Sequence, residues 1–137
     1  MPTIACSHLV IATDNVPRMM HFFSVAFQLT AYFENDQFGE FVLPSRFRIA
    51  FFKPVGKAAL HFRADSSREN ASYGITVTNV DEMYQALNSR LDELGIKFSG
   101  PPKEHPWGEK SFLLIDPDGN RWEITQTPST DGMLVNR

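Results

Sequence analysis

The spacing of apolar and polar residues predicts an order of elements that occurs twice in this chain. Residues 3–12 read as a strand. Asn15 then suits a helix N-cap, with Pro17 tolerated in the first turn. Met19, Phe22, Phe23, Ala26 and Phe27 follow at helical spacing, so one apolar stripe faces a core. Residues 29–33, 38–43 and 47–53 are three further strands, separated by Glu34-Asn35-Asp36 and by Pro44-Ser45-Arg46. Residues 53–71 are irregular and read as a linker, with a short strand over 59–63 as an option. The pattern then restarts with a strand over 73–78. Asn79 is a second N-cap, and Glu82 three residues on completes a capping-box pattern. Met83, Leu87, Leu91 and Leu94 form the stripe, and Gly95 closes the helix. A strand over 96–99 and a proline-rich loop lead to a hairpin of residues 111–115 and 121–125. Its turn is Asp116-Pro117-Asp118-Gly119-Asn120, where proline pre-sets one torsion and Gly119 can adopt the positive φ.

Superposing Asn15 on Asn79 aligns Ile11 with Ile75, Val16 with Val80, Met19 with Met83, Phe23 with Leu87 and Phe27 with Leu91. A repeat fixes architecture before any motif does. Neither copy can bury both its helix stripe and its sheet alone. The expected fold is therefore α+β, two tandem βαβββ modules whose curved mixed sheets form a concave cup. Module 1 covers about 3–53, a linker 54–71, module 2 about 72–127 and a polar tail 128–137. Alternation turns Leu9, Ile11, Tyr73, Ile75, Val77, Trp122 and Ile124 toward the helices. The opposite face receives His8, Val10, Ala12, Arg48, Ala50, Phe52, Ser72, Gly74, Thr76, Arg121, Glu123 and Thr125. Such a mixed, small-residued lining suits a pocket for small molecules. The bland reading of the same face is a solvated sheet, or one covered by a twin subunit.

The 137 residues carry 42% apolar and 21% charged side chains, the balance of an ordinary globule. A net charge of −3, with no lysine- or arginine-rich run, gives no footprint for nucleic acid. No apolar stretch reaches membrane-spanning length, and no secretory-signal pattern opens the chain. Cys6 is the single cysteine, so an internal disulfide framework is excluded. The expected location is cytoplasmic.

Glu123 is the most suggestive ionisable residue, a carboxylate centred on a strand between Arg121 and Thr125 on its own face. If that face is enclosed it needs a polar partner; if not, it simply pairs with Arg121 on a wet surface. An acid–base role would require burial to raise its pKa, with His8 nearby as proton partner. No serine or cysteine nucleophile arrangement is visible, because Ser7 points to the opposite face from His8. No glycine-rich phosphate loop is present.

Three segments together resemble the vicinal oxygen chelate superfamily, which includes glyoxalase I, extradiol dioxygenases and bleomycin resistance proteins. They are His8-Leu9-Val10-Ile11-Ala12 running into Asn15-Val16, Tyr73-Gly74-Ile75-Thr76-Val77 running into Asn79-Val80-Asp81, and the hairpin Asp116 to Glu123. The resemblance covers about residues 4–127. It implies metal ligands on the first and last strands of each module, which places His8 and Glu123 at ligand positions. Zinc, iron, manganese or nickel would accept both groups. Ser72 stands where a second histidine is usual. Ala50, or Phe51 if the register slips by one, stands where a glutamate is usual. His61, His105 and Cys6 are further donors that nothing in the spacing demands; burial as a small apolar side chain is the default for Cys6. Pro106-Trp107-Gly108 resembles the bleomycin resistance branch, which binds its ligand between two subunits without chemistry. Trp107, Phe52 and Phe38 would supply flat walls, although Trp107 also reads as an anchor under its own hairpin. The expectation is a homodimeric small-molecule-binding protein with no cofactor. It would hold an aromatic or amphipathic ligand at His8, Arg48, Phe52, Ser72, Trp107, Arg121 and Glu123. The alternative is a metal-dependent lyase or dioxygenase with His8 and Glu123 as ligands and Glu123 as the candidate catalytic group.

Overall fold

A computed structural model describes residues 2–126, so the tail expected over 128–137 lies outside the described residues. The chain divides into two compact units, one ending at Ser66 and the other beginning at Ser67.

In the first unit β1 (His8–Ala12) leads into α1 (Val16–Phe27), followed by β2 (Phe33–Glu34), β3 (Phe38–Val42) and β4 (Arg48–Phe52). The Asn15 side chain accepts the Arg18 N–H at 3.1 Å, satisfying one of the donors a helix start leaves open. The strand order is β1-β4-β3-β2, with β1 parallel to β4 and the other pairs antiparallel. A parallel pair needs a long crossover, and α1 is part of it. Its buried Met19, Met20, Phe22 and Phe23 cover the sheet. The Phe23 ring meets Phe41 at 4.9 Å and Phe51 at 5.8 Å.

The second unit repeats the plan with β5 (Ser72–Thr76), α2 (Val80–Asn88), α3 (Leu91–Leu94), β6 (Lys97–Phe98), β7 (Lys103–Glu104), β8 (Lys110–Ile115) and β9 (Arg121–Gln126). Strands run in the order β5-β9-β8-β6, with β7 also paired to β8 and β5 parallel to β9. Asn79 accepts the Glu82 N–H at 3.0 Å, and Gln126 Oε1 accepts the Val80 N–H at 2.9 Å, so β9 helps to cap α2. Trp122, Ile124, Leu114 and Phe112 form the buried face with Val80 and Leu87. The first and last strands of each unit thus lie side by side, as the repeat requires. Among the described residues no helix is long and apolar enough to cross a membrane.

Several local expectations need correction. The strand predicted over 29–33 shrinks to Phe33–Glu34, because Leu29 is tied into the end of α1. Its N–H donates to the Ser24 carbonyl at 3.0 Å, and its carbonyl accepts from Ser24 Oγ at 2.8 Å. No strand forms over 59–63. Gly56–Leu60 is a 3-10 turn, and His61 and Phe62 donate to the Ala58 carbonyl. The second helix does not run unbroken to Gly95. Ser89 Oγ bonds back to the Ala86 carbonyl, Arg90 leaves helical geometry at φ −126°, and α3 restarts one residue later. The strand over 96–99 narrows to Lys97–Phe98, and the proline-rich loop contributes β7, which escaped the pattern. Cys6 is exposed rather than buried.

Candidate functional site

Strand register places the predicted residues on each sheet. In the first unit His8 pairs with Arg48 and Arg48 with Val42; one step on, Val10 pairs with Ala50 and Ala50 with Glu40. Registered partners share a face, so His8, Arg48 and Glu40 gather on the side away from α1. Arg48 Nη2 lies 3.4 Å from His8 Nδ1, and its Nη1 lies 3.5 Å from Glu40 Oε2. The Ser7 hydroxyl, expected on the opposite face from His8, instead turns back to the imidazole, with Oγ 2.7 Å from the same His8 nitrogen. Phe52 packs edge-on against Phe62 at 5.1 Å, and Phe38 against Phe33 at 6.2 Å.

The second unit has equivalent rows, with Ser72 beside Arg121 and Gly74 beside Glu123. Glu123 pairs with Gly74 as Ala50 pairs with Val10, so by the repeat Glu123 corresponds to Ala50 and not to Phe51. The carboxylate absent from β4 returns on the neighbouring strand as Glu40. Alternation along β3 put Glu40 on that face, but nothing in the sequence gave the partner register.

Glu123 does not pair with Arg121. The Arg121 guanidinium donates to the Gly119 carbonyl at 2.6 Å and reaches Glu69 at 3.6 Å. The Glu123 carboxylate has no hydrogen-bond or ion-pair partner among the described residues, and it lines an open groove of about 740 Å3. The remaining walls are residues 99–105 together with Ser111, Phe112 and Leu113. His105 is built into this groove. Its Nε2 lies 2.8 Å from Ser111 Oγ, and its ring stacks on Trp107 with centroids 4.7 Å apart and planes within 3°. A tight loop fixes the pair. The His105 N–H donates to the Glu109 carbonyl at 2.7 Å, Gly108 supplies φ +94°, and the Trp107 indole donates to Glu109 Oε1 at 2.5 Å. Trp107 remains 67% exposed, so it braces the imidazole and does not anchor the hairpin from beneath.

The hairpin turn explains how Glu123 is held. Buried Asp116 accepts from the backbone of Asp118 and Asn120, from Asn120 Nδ2 and from Trp122 Nε1, all at 2.8–2.9 Å. Burial pushes its carboxyl above the ordinary aspartate range, against the opposing pull of those four donors. Trp122 is thereby pinned inward, and Glu123, the next residue on β9, must point outward.

Among the described residues no three His, Cys, Asp or Glu side chains gather where they would hold an ion. Ala50 offers no donor, Ser72 only a hydroxyl, and a guanidinium stands beside His8.

The sequence model of the Glyoxalase/Bleomycin resistance protein/Dioxygenase superfamily matches residues 5–124. No curated protein matches the sequence significantly. Among solved structures, a glyoxalase-related enzyme from Fulvimarina pelagi is 18% identical over 92% of this chain and 90% of its own, with a TM-score of 0.76. A family enzyme from Burkholderia phytofirmans is 17% identical over 90% and 99%, with a TM-score of 0.74. A lactoylglutathione lyase from Agrobacterium tumefaciens is 18% identical over 92% and 96%, with a TM-score of 0.63. At these identities the likeness is one of fold.

Proposed function

Because the chain belongs to the Glyoxalase/Bleomycin resistance protein/Dioxygenase superfamily, we propose that it binds a small aromatic or amphipathic molecule without a resident metal ion. The observation that carries this reading is the Glu123 carboxylate, without a partner among the described residues, facing a groove whose other walls include Pro101, Pro102, Phe112 and Leu113. Apolar walls around a few convergent polar groups are the usual make-up of a small-ligand site. His8, Arg48 and Glu40, on adjoining rows, form a second polar cluster available to a ligand. Pairing of two copies belongs to the same proposal, supported by the exposed Tyr32 and Phe33 at the edge strand β2; a monomeric mass in light scattering at micromolar protein would count against it.

The test is metal analysis of protein purified without chelator, followed by a thermal-shift screen of metabolites and antibiotics. A ligand at a hundred times its Kd stabilises by about 2.7 kcal/mol, which such a screen resolves. Ligand-induced stabilisation in metal-free protein is the expected result. Stoichiometric metal that disappears in His8→Ala and in Glu123→Gln would replace this reading with that of a metal-dependent lyase or dioxygenase.

A further inference from the structure

A narrower ligand class follows for the second unit's groove, and it rests on the binding reading above. Leu113 is the registered partner of Glu123 and Ser111 of Thr125, while Lys103 on β7 is registered with Ser111. Registered partners share a face, so Lys103, Ser111, Leu113 and Glu123 all lie on the face that carries the groove. Glu104, registered with Lys110, belongs to the other face, where Lys110 reaches Asp81 of α2 at 2.6 Å.

This face thus holds two opposite charges that do not meet. Neither the Lys103 ammonium nor the Glu123 carboxylate has an ion-pair partner among the described residues. They stand two strands apart, about 9–10 Å, and two residues apart along the strands, about 7 Å, so their backbones are separated by about 12 Å. Other groups on the face are engaged or placed elsewhere. Arg121 is held by the Gly119 carbonyl and Glu69, and Ser111 is bonded to His105. Lys97 shares the face through its partner Ile115, but it lies past the loop of residues 99–102 and does not line the groove. The apolar part of the lining is supplied by Leu113, Pro101 and Pro102.

We propose that this groove is a subsite for a small zwitterion with a flat apolar body, its cationic end on Glu123 and its anionic end on Lys103. Taking one hydrogen-bond length of about 2.8 Å from each end of the 12 Å span leaves about 6 Å between the ligand's own charges. The two charges therefore sit at opposite ends of a body the size of one ring, and not on one carbon. Leu113, Pro101 and Pro102 cover that body. A ligand of one sign leaves either Lys103 or Glu123 unanswered and gains from only half of the site.

The experiment uses the full chain at neutral pH and 4-(aminomethyl)benzoate, which carries an ammonium and a carboxylate at opposite ends of one ring. Benzylamine and 4-methylbenzoate are its two halves, each with a single charge. Binding is followed by amide chemical shifts. The expected result is saturable shifts at residues 99–105, 111–113 and 123, with the zwitterion about tenfold tighter than either half, the order of one charge-assisted hydrogen bond. Lys103→Met and Glu123→Gln should each weaken the zwitterion about tenfold, to the level of the half that remains answered. Lys97→Met, which removes a lysine of the same face outside the groove, should leave the affinity unchanged. Lys103→Glu should weaken the zwitterion further, and adding Glu123→Lys should restore it, because the reversed pair accepts the ligand turned end for end. Either half binding as tightly as the zwitterion, or an unchanged affinity in Lys103→Met, would overturn the paired-charge subsite; Lys103 would then be only a lysine that guards the edge strand β7. No binding of the zwitterion while the metabolite screen finds another ligand would overturn this subsite and leave the binding reading intact. If the screen fails as well, both fall together.

Discussion

The indole N–H of Trp122 donates to Oδ2 of Asp116 at 2.8 Å inside the hairpin that carries Glu123. Trp122 is fully buried and Asp116 nearly so, and the two bracket the turn that reverses β8 into β9. Trp122→Phe keeps most of the apolar bulk but leaves one carboxylate oxygen short of a donor. The expected loss is about 1–3 kcal/mol from the buried hydrogen bond, measured by urea unfolding. Because the indole also fixes the facing of β9, amide shifts of Glu123 should move in the same variant. A loss below about 0.5 kcal/mol, the scale of an ordinary surface change, would show that the bond is incidental.

Asp116 also sets a pH dependence with an unusual sign. Burial holds its folded-state pKa above the ordinary value of 3.8. Below 3.8 the carboxyl is protonated in both states, and its relative contribution to stability is fully present. As pH rises, the unfolded chain ionises first, so that contribution declines through the folded pKa and is level above it. Asp116 therefore opposes the usual gain in stability between acid and neutral pH. In carbonyl-carbon NMR its titration midpoint should lie above 3.8, and Trp122→Phe, which removes a donor to the carboxylate, should raise it further. Asp116→Asn should erase this decline while costing about 1–3 kcal/mol, since an amide nitrogen then faces N–H donors. A midpoint at or below 3.8 would show that the four donors outweigh burial.

The two N-caps offer a matched comparison between the units. Asn15 accepts from Arg18 and Asn79 from Glu82, at 3.1 and 3.0 Å. Replacing either by alanine should cost about 1 kcal/mol. Asn79→Ala is expected to cost less, because the Gln126 side chain already satisfies the Val80 N–H and relieves α2 of one open donor. Adding Gln126→Ala should then make the second helix start as sensitive as the first. Equal losses in Asn15→Ala and Asn79→Ala, with no added loss from Gln126→Ala, would remove the role given to β9.

What the sequence disclosed and what it withheld divide along physical lines. The caps, the Gly119 turn and the inward facing of Trp122 and Ile124 follow from local rules, and all are present. The same alternation put His8, Arg48 and Glu123 on the polar face, yet it said nothing of who stands next to whom. That depends on the long-range pairing of β1 with β4 and of β5 with β9, which no local pattern encodes. Local pattern therefore does not give Glu40 as the partner of Arg48, and it pairs Arg121 with Glu123 although Glu69 and the Gly119 carbonyl take it. His105 stands among the further donors the sequence offers, but no spacing assigns it a place, and only the pairing of β7 with β8 brings it over Ser111. The adjoining glycine and Trp107 were visible, but a stack between residues two apart is set by the turn and not by periodicity.

Gly39 tests the packing of α1 on its sheet. It is buried on β3, and a methyl group placed on its Cα would fall well inside contact distance of the Met20 side chain. Its φ is not in the left-handed region, so the demand for glycine here is one of space. Gly39→Ala should destabilise by about 1–3 kcal/mol through overpacking, the lower part of that range being favoured because methionine can change rotamer. Met20→Ala alone should cost about 2–5 kcal/mol, since it opens a cavity under the helix. In the double variant the new methyl occupies part of that cavity, so the two losses should fall short of their sum by at least about 0.5 kcal/mol, the coupling of touching residues. Simple additivity in urea unfolding would mean that the helix and β3 do not need the glycine in order to meet.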